Sequence, residues 1–437
     1  MTRPQRIAIA GLGTVGAGTV SLLRDNEAEI TRRAGRALQI VAVSARDASR
    51  RRGIDLAGID WHDDAVALAA RPDIDVVVEL IGGSDGVARK VVETALHHKK
   101  HVVSANKALL AHHGTGLARA AEAAGVTLGF EASVAGGIPI LKVLREGLAA
   151  NRITRIYGIL NGTCNYILTS MRDEHREFAD TLAEAQRLGY AEADPGFDID
   201  GIDTAHKLAL LSAVAFGGAV DLAGVHVEGI RHVSAADIAF ADELGYSIKL
   251  LGVARPVAGA VDGAVGIEQR VHPTMVPRAA PIAHVEGVFN AVVVEGDRIG
   301  RLMLEGRGAG AEPTASAVVA DLIDIAAGRG TTSFGVPAAT LRALEAVPMA
   351  RHRGAYYMRL AVLDQPGVIA DIAAALRDQA VSMEQMLQRG RASDGAGVPV
   401  VITTHETEEA AMRRAVAQIE SLATVLEPPR LIRIENL

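Results

Sequence analysis

An apolar run at residues 6–10 ends in Gly11-Leu12-Gly13-Thr14-Val15-Gly16, and a helical stretch follows at once. A strand, a glycine turn and a helix in that order constrain a chain more than any single motif does. The turn lets backbone approach a pyrophosphate, whose charge then rests on the N-terminus of the helix. The GxGxxG spacing alone is weak evidence, but here both flanks agree with it. The alternation also continues. Strands are expected at 6–10, 38–44, 76–80, 101–104 and 127–130, with helices such as 16–24 and 86–97 between them. That is the pattern of a parallel sheet with crossover helices, an α/β fold with a Rossmann-type N-terminal domain.

From about residue 131 the texture changes to longer helices rich in Ala and Leu. Strands are expected near 152–160 and 264–271 and within 284–304, before Arg307-Gly308-Ala309-Gly310. Residues 313–327 have helical spacing, with Val318, Leu322, Ile323 and Ala326 on one side. The Gly-, Thr-, Ser- and Pro-bearing stretch 328–348 reads as a linker. Beyond it, strand, helix, two strands, helix and strand make the βαββαβ order of a ferredoxin-like module. The expected division is a dinucleotide-binding domain at 1–135, completed by a helix at 311–330, and an α+β catalytic and dimerisation domain at 136–310. A linker at 331–354 and a small module at 355–437 complete it.

With 45 basic and 52 acidic side chains, net charge is −7, so nothing favours nucleic acid or an anionic membrane as partner. One cysteine, Cys164, excludes an internal disulfide and suits a reducing compartment. The N-terminus runs into its strand without an apolar signal core, and no apolar run approaches membrane-spanning length. The expected location is the cytoplasm.

Chemistry concentrates at residues 187–207, RLGYAEADPGFDIDGIDTAHK. Glu192, Asp194, Asp198, Asp200 and Asp203 crowd around one following lysine, Lys207. If Gly201 opens a helix, Asp203 and Lys207 stand at i,i+4 on one face. Carboxylates beside a lysine suit a substrate carrying an ammonium and a group that must trade a proton. An acidic surface loop with an ordinary salt bridge is the competing reading. At the tip of the second strand, Arg46 with Arg50, Arg51 and Arg52 suits a 2′-phosphate, favouring NADP. If Arg46 is merely solvated, Asp47 would take the ribose hydroxyls, and NAD stays open. Gly82, Ser104 and Lys107 close the third and fourth strands, at the carboxyl ends that face the ligand crevice.

Six segments together carry a resemblance. They are GLGTVG, SANKALL, EASVAGGIP at 131–139, NGTCNY at 161–166, LGYAEADP with DIDGIDTAHK, and GRGAGAEPTASAVVADL at 306–322. In this order, over about residues 5–335, the chain resembles the homoserine dehydrogenases. The resemblance implies NAD(P)-dependent interconversion of L-aspartate 4-semialdehyde and L-homoserine, on the route to threonine, methionine and isoleucine. Lys207 matches the catalytic lysine, Asp203 its partner and Lys107 the lysine beside the cofactor. Glu192, Asp198, Tyr190 and Thr163 match the substrate pocket. Thr14, Val15 and Gly310 join the glycines at the cofactor. A monovalent cation, usually sodium, is implied at Glu131, Val134, Gly136 and Ile138, mainly through main-chain oxygens. Cys164 stands where small hydroxyl residues are common and reads as a packed substitution.

Residues 355–437 resemble an ACT domain through Leu363-Asp364-Gln365-Pro366-Gly367-Val368-Ile369. This implies threonine as effector and at least a homodimer, with a homotetramer open; a purely structural dimerisation unit is the alternative. On this reading, truncation after about residue 350 should leave activity and abolish threonine sensitivity. Two rivals remain: an oxidoreductase acting on another amino-acid semialdehyde or hydroxy acid, and a nucleotide-sensing regulator without catalysis.

Overall fold

The N-terminal strands β1 (Gln5–Ala10), β2 (Leu38–Ser44), β3 (Asp60–His62), β4 (Val76–Glu79), β5 (His101–Ser104) and β6 (Leu128–Gly129) build one sheet. In the computed structural model, which describes residues 3–261, 264–389 and 397–437, its order is β3-β2-β1-β4-β5-β6. Neighbouring strands in it are all parallel. Ile7–Ala10 and Val76–Val78 are fully buried, as strands covered by helices on both faces must be. The strand order reverses between β1 and β4, which opens a crevice at their carboxyl ends. The short edge strand β3 (Asp-Trp-His) carries no apolar run and is not among the expected strands.

The helix Ala311–Ala326 returns to this domain and lies on the helix Thr14–Asp25. The contact is close because Gly18 has no side chain: a Cβ there would stand 2.9 Å from the Ala311 carbonyl oxygen. The buried Asp321 of the later helix accepts the Glu131 N–H at 3.0 Å.

Strands β7 (Ile153–Ile159), β8 (Val225–Val227), β9 (Tyr246–Val261), β10 (Ala264–Pro277), β11 (Phe289–Gly296) and β12 (Gly300–Arg307) form the second sheet, ordered β12-β11-β7-β9-β10 with β8 beside β10. The helix Ile202–Phe216 packs on β9 and β10, close enough that a Cβ on Gly252 would touch Thr204 and Leu208.

The C-terminal strands are β13 (Arg353–Val362), β14 (Met383–Gln388), β15 (Val398–Thr404), the two-residue β16 (Thr407–Glu408) and β17 (Arg430–Ile434). Their order β17-β13-β15-β14 and the helices Val368–Asp378 and Glu409–Glu420 give the expected ferredoxin-like topology. Alternation along β13 divides its side chains: Tyr356, Met358, Leu360 and Val362 face the two helices. Tyr357 and Arg359 face the other way and bind Asp237 of the helix Ala235–Glu243.

The module is therefore no pendant. β17 pairs in parallel with β10 (Thr274 with Arg433, Met275 with Ile434), so the catalytic sheet and the module's sheet are continuous. Of residues 331–354, expected as a linker, 331–352 are a packed strap and the last two begin β13. Phe334 is buried against Phe130, Arg119 donates to the Ala338 and Leu341 carbonyls, and Ala346 bridges to Ile267. Cutting the chain near residue 350 would bare the edge of β10 and leave buried charges unpaired. Retained activity after truncation is therefore not the expected outcome for this fold.

Candidate active site

Gly201 sits at φ +82° and caps the helix Ile202–Phe216, a left-handed position where glycine is unstrained. The helix then sets Asp203 and Lys207 one turn apart, both buried, with Lys207 Nζ 2.8 Å from Asp203 Oδ2. The other oxygen, Oδ1, meets Lys107 Nζ at 2.7 Å. Lys107 opens the helix Lys107–Ala124 directly after β5, so this carboxylate joins the carboxyl end of the first sheet to the second. Asn161, at the end of β7, donates from Nδ2 to Asp203 Oδ2 at 2.8 Å and to Asp198 Oδ1 at 2.7 Å. Its Oδ1 accepts the Cys164 N–H, which caps the helix Gly162–Glu174. Lys207 also donates to the Leu160 carbonyl at 2.7 Å.

Charges and burial act unequally on these groups. Burial opposes ionisation of Asp203, but the two ammonium groups outweigh it and hold the carboxyl well below its usual range. Burial pulls Lys207 below the ordinary lysine value, helped by the charge of Lys107, and Asp203 recovers only part of the shift. At the half-buried Lys107 the balance reverses: Asp203 outweighs burial and the group stays above its ordinary value. Burial raises Asp198, chiefly against its bond from Asn161. Two lysines on one carboxylate thus differ in how readily they release a proton.

At the glycine turn each glycine has its own reason. Gly11 (φ +107°) lies against the end of β4, where a Cβ would come within 2.4 Å of the Leu80 oxygen. A Cβ on Gly16 would come within 2.1 Å of the Gly11 oxygen. Gly13 faces open space and caps the helix without a side-chain bond, leaving the amides of Thr14 and Val15 at an uncapped N-terminus. A cleft of about 530 Å³ begins here and runs past Ser44, Arg46, Asp47, Arg50 and Arg52 to Ile81. This cradle fits a dinucleotide.

The family model "Homoserine dehydrogenase, NAD binding domain" matches residues 11–131, and "Homoserine dehydrogenase" matches residues 139–323. The chain is 47% identical over 441 residues to a homoserine dehydrogenase of Neisseria gonorrhoeae, covering 100% of this chain and 99% of the relative. The crystal structure of a homoserine dehydrogenase from Thiobacillus denitrificans superposes with a TM-score of 0.93 at 46% identity, covering 99% of both chains. A hyperthermophilic archaeal homoserine dehydrogenase in complex with NADPH superposes at 0.63 and 26% identity, covering 76% of this chain and 99% of that one. The chain belongs to the homoserine dehydrogenase family. It is an NAD(P)-dependent oxidoreductase acting on a CH–OH group.

Of the five crowded carboxylates, only Asp198 and Asp203 meet at Asn161. Asp200 pairs outward with Arg231, and Asp194 caps its own turn at the Gly196 N–H. Glu192 is exposed and its carboxylate makes no ion pair among the described residues, although its charge is felt at Lys107. Thr163 donates to the Tyr190 carbonyl at 2.8 Å, and the half-exposed Tyr190 ring stands 4.7 Å from Tyr166. Phe197 places its ring 5.6 Å from Lys107 Nζ. Burial pushes the Cys164 thiol far up, consistent with a packed, unreactive residue.

On the cofactor side, Ser104 is buried and its hydroxyl donates to Glu79 Oε2 at 2.7 Å, so it shapes the crevice floor without offering a free hydroxyl. The buried Glu79 also accepts the Ile81 and Gly82 N–H groups and reaches Asn106, tying the ends of β4 and β5 together. Gly82 adopts φ +87°. Gly310 (φ +115°) caps the helix that lies on Thr14–Asp25. Arg46 is exposed in the cleft, whereas Asp47 accepts bonds from the Ser49 N–H and hydroxyl and is held low by them. The sequence reading singled out neither Asn161 nor Glu79 and Asn106. The Asn-Gly-Thr start of a helix after a strand was the available signal for Asn161.

Around the implied cation, the Glu131 carboxylate accepts the Leu141 and Lys142 N–H groups, so the side chain is engaged. Burial and the neighbouring Asp321 push it up to about 7, against Arg145. The carbonyls of Val134 and Gly136, both buried residues, accept no hydrogen bond among the described residues; that of Ile138 accepts the Ile140 N–H.

Proposed function

We propose that this chain interconverts L-homoserine and L-aspartate 4-semialdehyde with Lys207 as the proton-transfer group. The bound nicotinamide supplies or accepts the hydride. Lys207 gives a proton to the developing alkoxide on reduction, or takes the hydroxyl proton on oxidation. The observation that carries this is the shared carboxylate. As an ammonium, Lys207 has three N–H groups; Leu160 and Asp203 take two and leave one for a substrate oxygen. Burial lowers its pKa, so the neutral amine needed for oxidation is reachable. Lys107 keeps its charge and holds Asp203 from the other domain. Asp198 and the unpaired Glu192 take the substrate ammonium, with Tyr190 and Thr163 forming the wall.

The exposed Arg46, beside an Asp47 already engaged, supports NADP as the preferred cofactor. Main-chain oxygens of Val134, Gly136 and Ile138 would hold a monovalent cation, with Glu131 fixing the loop through its bonds to the next helix. The ferredoxin-like module with its Gly367 turn (φ +98°) supports an ACT domain that senses threonine, in an enzyme of at least two chains.

Homoserine oxidation followed spectrophotometrically with NAD and NADP in parallel tests the reading. NADP should be favoured, and Arg46→Ala should erase the preference. No turnover with either cofactor would overturn the reading. Unchanged activity in millimolar threonine would remove the regulatory part alone.

A further inference from the structure

The acid loop is anchored from behind by four residues, Glu228 to Arg231, which the chemistry above does not use. They follow β8 and lie between the end of the one-turn helix Gly196–Ile199, with its cap Asp200, and the C-terminal module. On the loop side the fit is backbone to backbone. A Cβ on Gly229 would come within 2.2 Å of the Ile199 oxygen and 2.5 Å of Asp200 Cα. The Ile230 N–H donates to the Ile199 carbonyl at 2.8 Å, and Arg231 donates from Nε and Nη2 to the two oxygens of Asp200. Asp198 directly precedes this pair of residues, so the anchor sets where its carboxylate stands.

On the module side the anchor ends in Glu228. Its carboxylate accepts from Arg433 at 2.8 and 3.0 Å, from Arg413 at 2.8 Å and from His226 at 3.0 Å. Arg433, on β17, is almost wholly buried and also grips Glu409, which in turn accepts the Tyr356 hydroxyl. The Glu228 N–H is fixed to the Val271 carbonyl of β10 at 2.7 Å. Every link from β17 to Asp198 is thus a hydrogen bond or a contact with no room for a Cβ.

We infer that Glu228 is a positioning residue: through Gly229–Arg231 it transmits the seating of the C-terminal module to Asp198 and so sets substrate affinity. This rests on Asp198 holding the substrate ammonium. The anchor touches neither the cofactor crevice nor the Lys207 amine. Loosening it should therefore move KM for homoserine and leave proton transfer in place.

Glu228→Gln keeps the shape and removes the charge that holds Arg433 and Arg413. In the full-length enzyme it should raise KM for homoserine about fivefold, with kcat and the cofactor KM within about twofold. Arg231→Leu, at an exposed position that does not threaten folding, should raise it about threefold in the same pattern. Asp198→Asn is the control and should raise KM most. Glu228→Asp, which can still reach the guanidinium, should restore part of the loss. Should Glu228→Gln and Arg231→Leu keep a wild-type KM while Asp198→Asn raises it, the inference is wrong and Glu228 only fastens the module. If Asp198→Asn itself leaves KM unchanged, the reading of the substrate site fails and the inference falls with it.

Discussion

Two ion-pair clusters each hold one deeply buried cation, Lys207 and Arg433, and the two cations behave oppositely. At the active site the cations are lysines, Lys107 and Lys207 on Asp203; at the module junction they are arginines, Arg433 on Glu228 and Glu409 and Arg270 on Glu268 and Glu435. Lys207 and Arg433 are both buried, yet burial drags Lys207 below its ordinary value while Arg433 stays above its own. An ammonium is strongly hydrated and loses much on leaving water. A guanidinium spreads its charge, matches a carboxylate with two parallel bonds and keeps its proton. The same burial therefore makes one cation titratable and the other a fixed fastener.

The junction offers the largest effect. Arg433→Met strips the buried Glu409 of its main partner and the half-buried Glu228 of one of its cations, and should cost on the order of 3 kcal/mol in urea or thermal unfolding. Both carboxyls are held below their ordinary value of 4.5, Glu228 by His226 and Arg433 and Glu409 by Arg433 and Arg413, in each case against burial. A depressed carboxyl contributes stability that is complete above 4.5 and is lost as pH falls through the folded value. The gap between wild type and variant should accordingly narrow in acid. An unchanged midpoint at neutral pH would mean that the junction fastens nothing.

At the site the same logic predicts a smaller free-energy change but a larger visible one. Lys207→Ala should lower kcat about 10²-fold or more, with cofactor binding nearly intact. Lys207→Arg is the sharper experiment, because it keeps the cation and removes the ability to release a proton. Homoserine oxidation needs the neutral amine, so wild-type kcat should rise with pH and level off below the ordinary lysine value. In Lys207→Arg that rising limb should vanish along with most of the activity. Near-normal oxidation by Lys207→Arg would make Lys207 a fixed charge, and the contrast between the two clusters would collapse.

Periodicity carried the first sheet well, because parallel strands buried on both faces read as uninterrupted apolar runs such as Ile7–Ala10. It passed over β3, whose Asp-Trp-His has no such run. The i,i+4 pairing of Asp203 and Lys207 was legible because helical geometry is local. The turning of Asp200 away from that pair was not, since it depends on Arg231, 31 positions further along, arriving in three dimensions. For the same reason composition made 331–354 a linker: Gly, Pro and Thr describe the strap's turns, not the Phe130, Arg119 and Ile267 that it packs against. The continuity of β10 with β17 joins residues more than 150 positions apart, and a pairing that distant leaves no local trace.

A third buried cation separates the roles of burial and partner. Lys249, on β9, is bonded only to neutral oxygens, Asn165 Oδ1 at 3.2 Å and the Val285 carbonyl at 2.6 Å. Burial pushes it down to about 8. It thus resembles Lys207 without an Asp203. Between pH 8 and the ordinary 10.5, the unfolded chain keeps a proton that the folded chain has released, so this lysine makes stability rise with pH across that window. Below 8 both states are protonated and the full cost of burying the charge remains. Lys249→Met abolishes the titration, so wild type should gain on the variant by about 3 kcal/mol over that range in urea unfolding. A constant difference between the two proteins would mean that the Asn165 and Val285 oxygens suffice to hold an ammonium at its ordinary value. The depression of Lys207 could then not be assigned to burial.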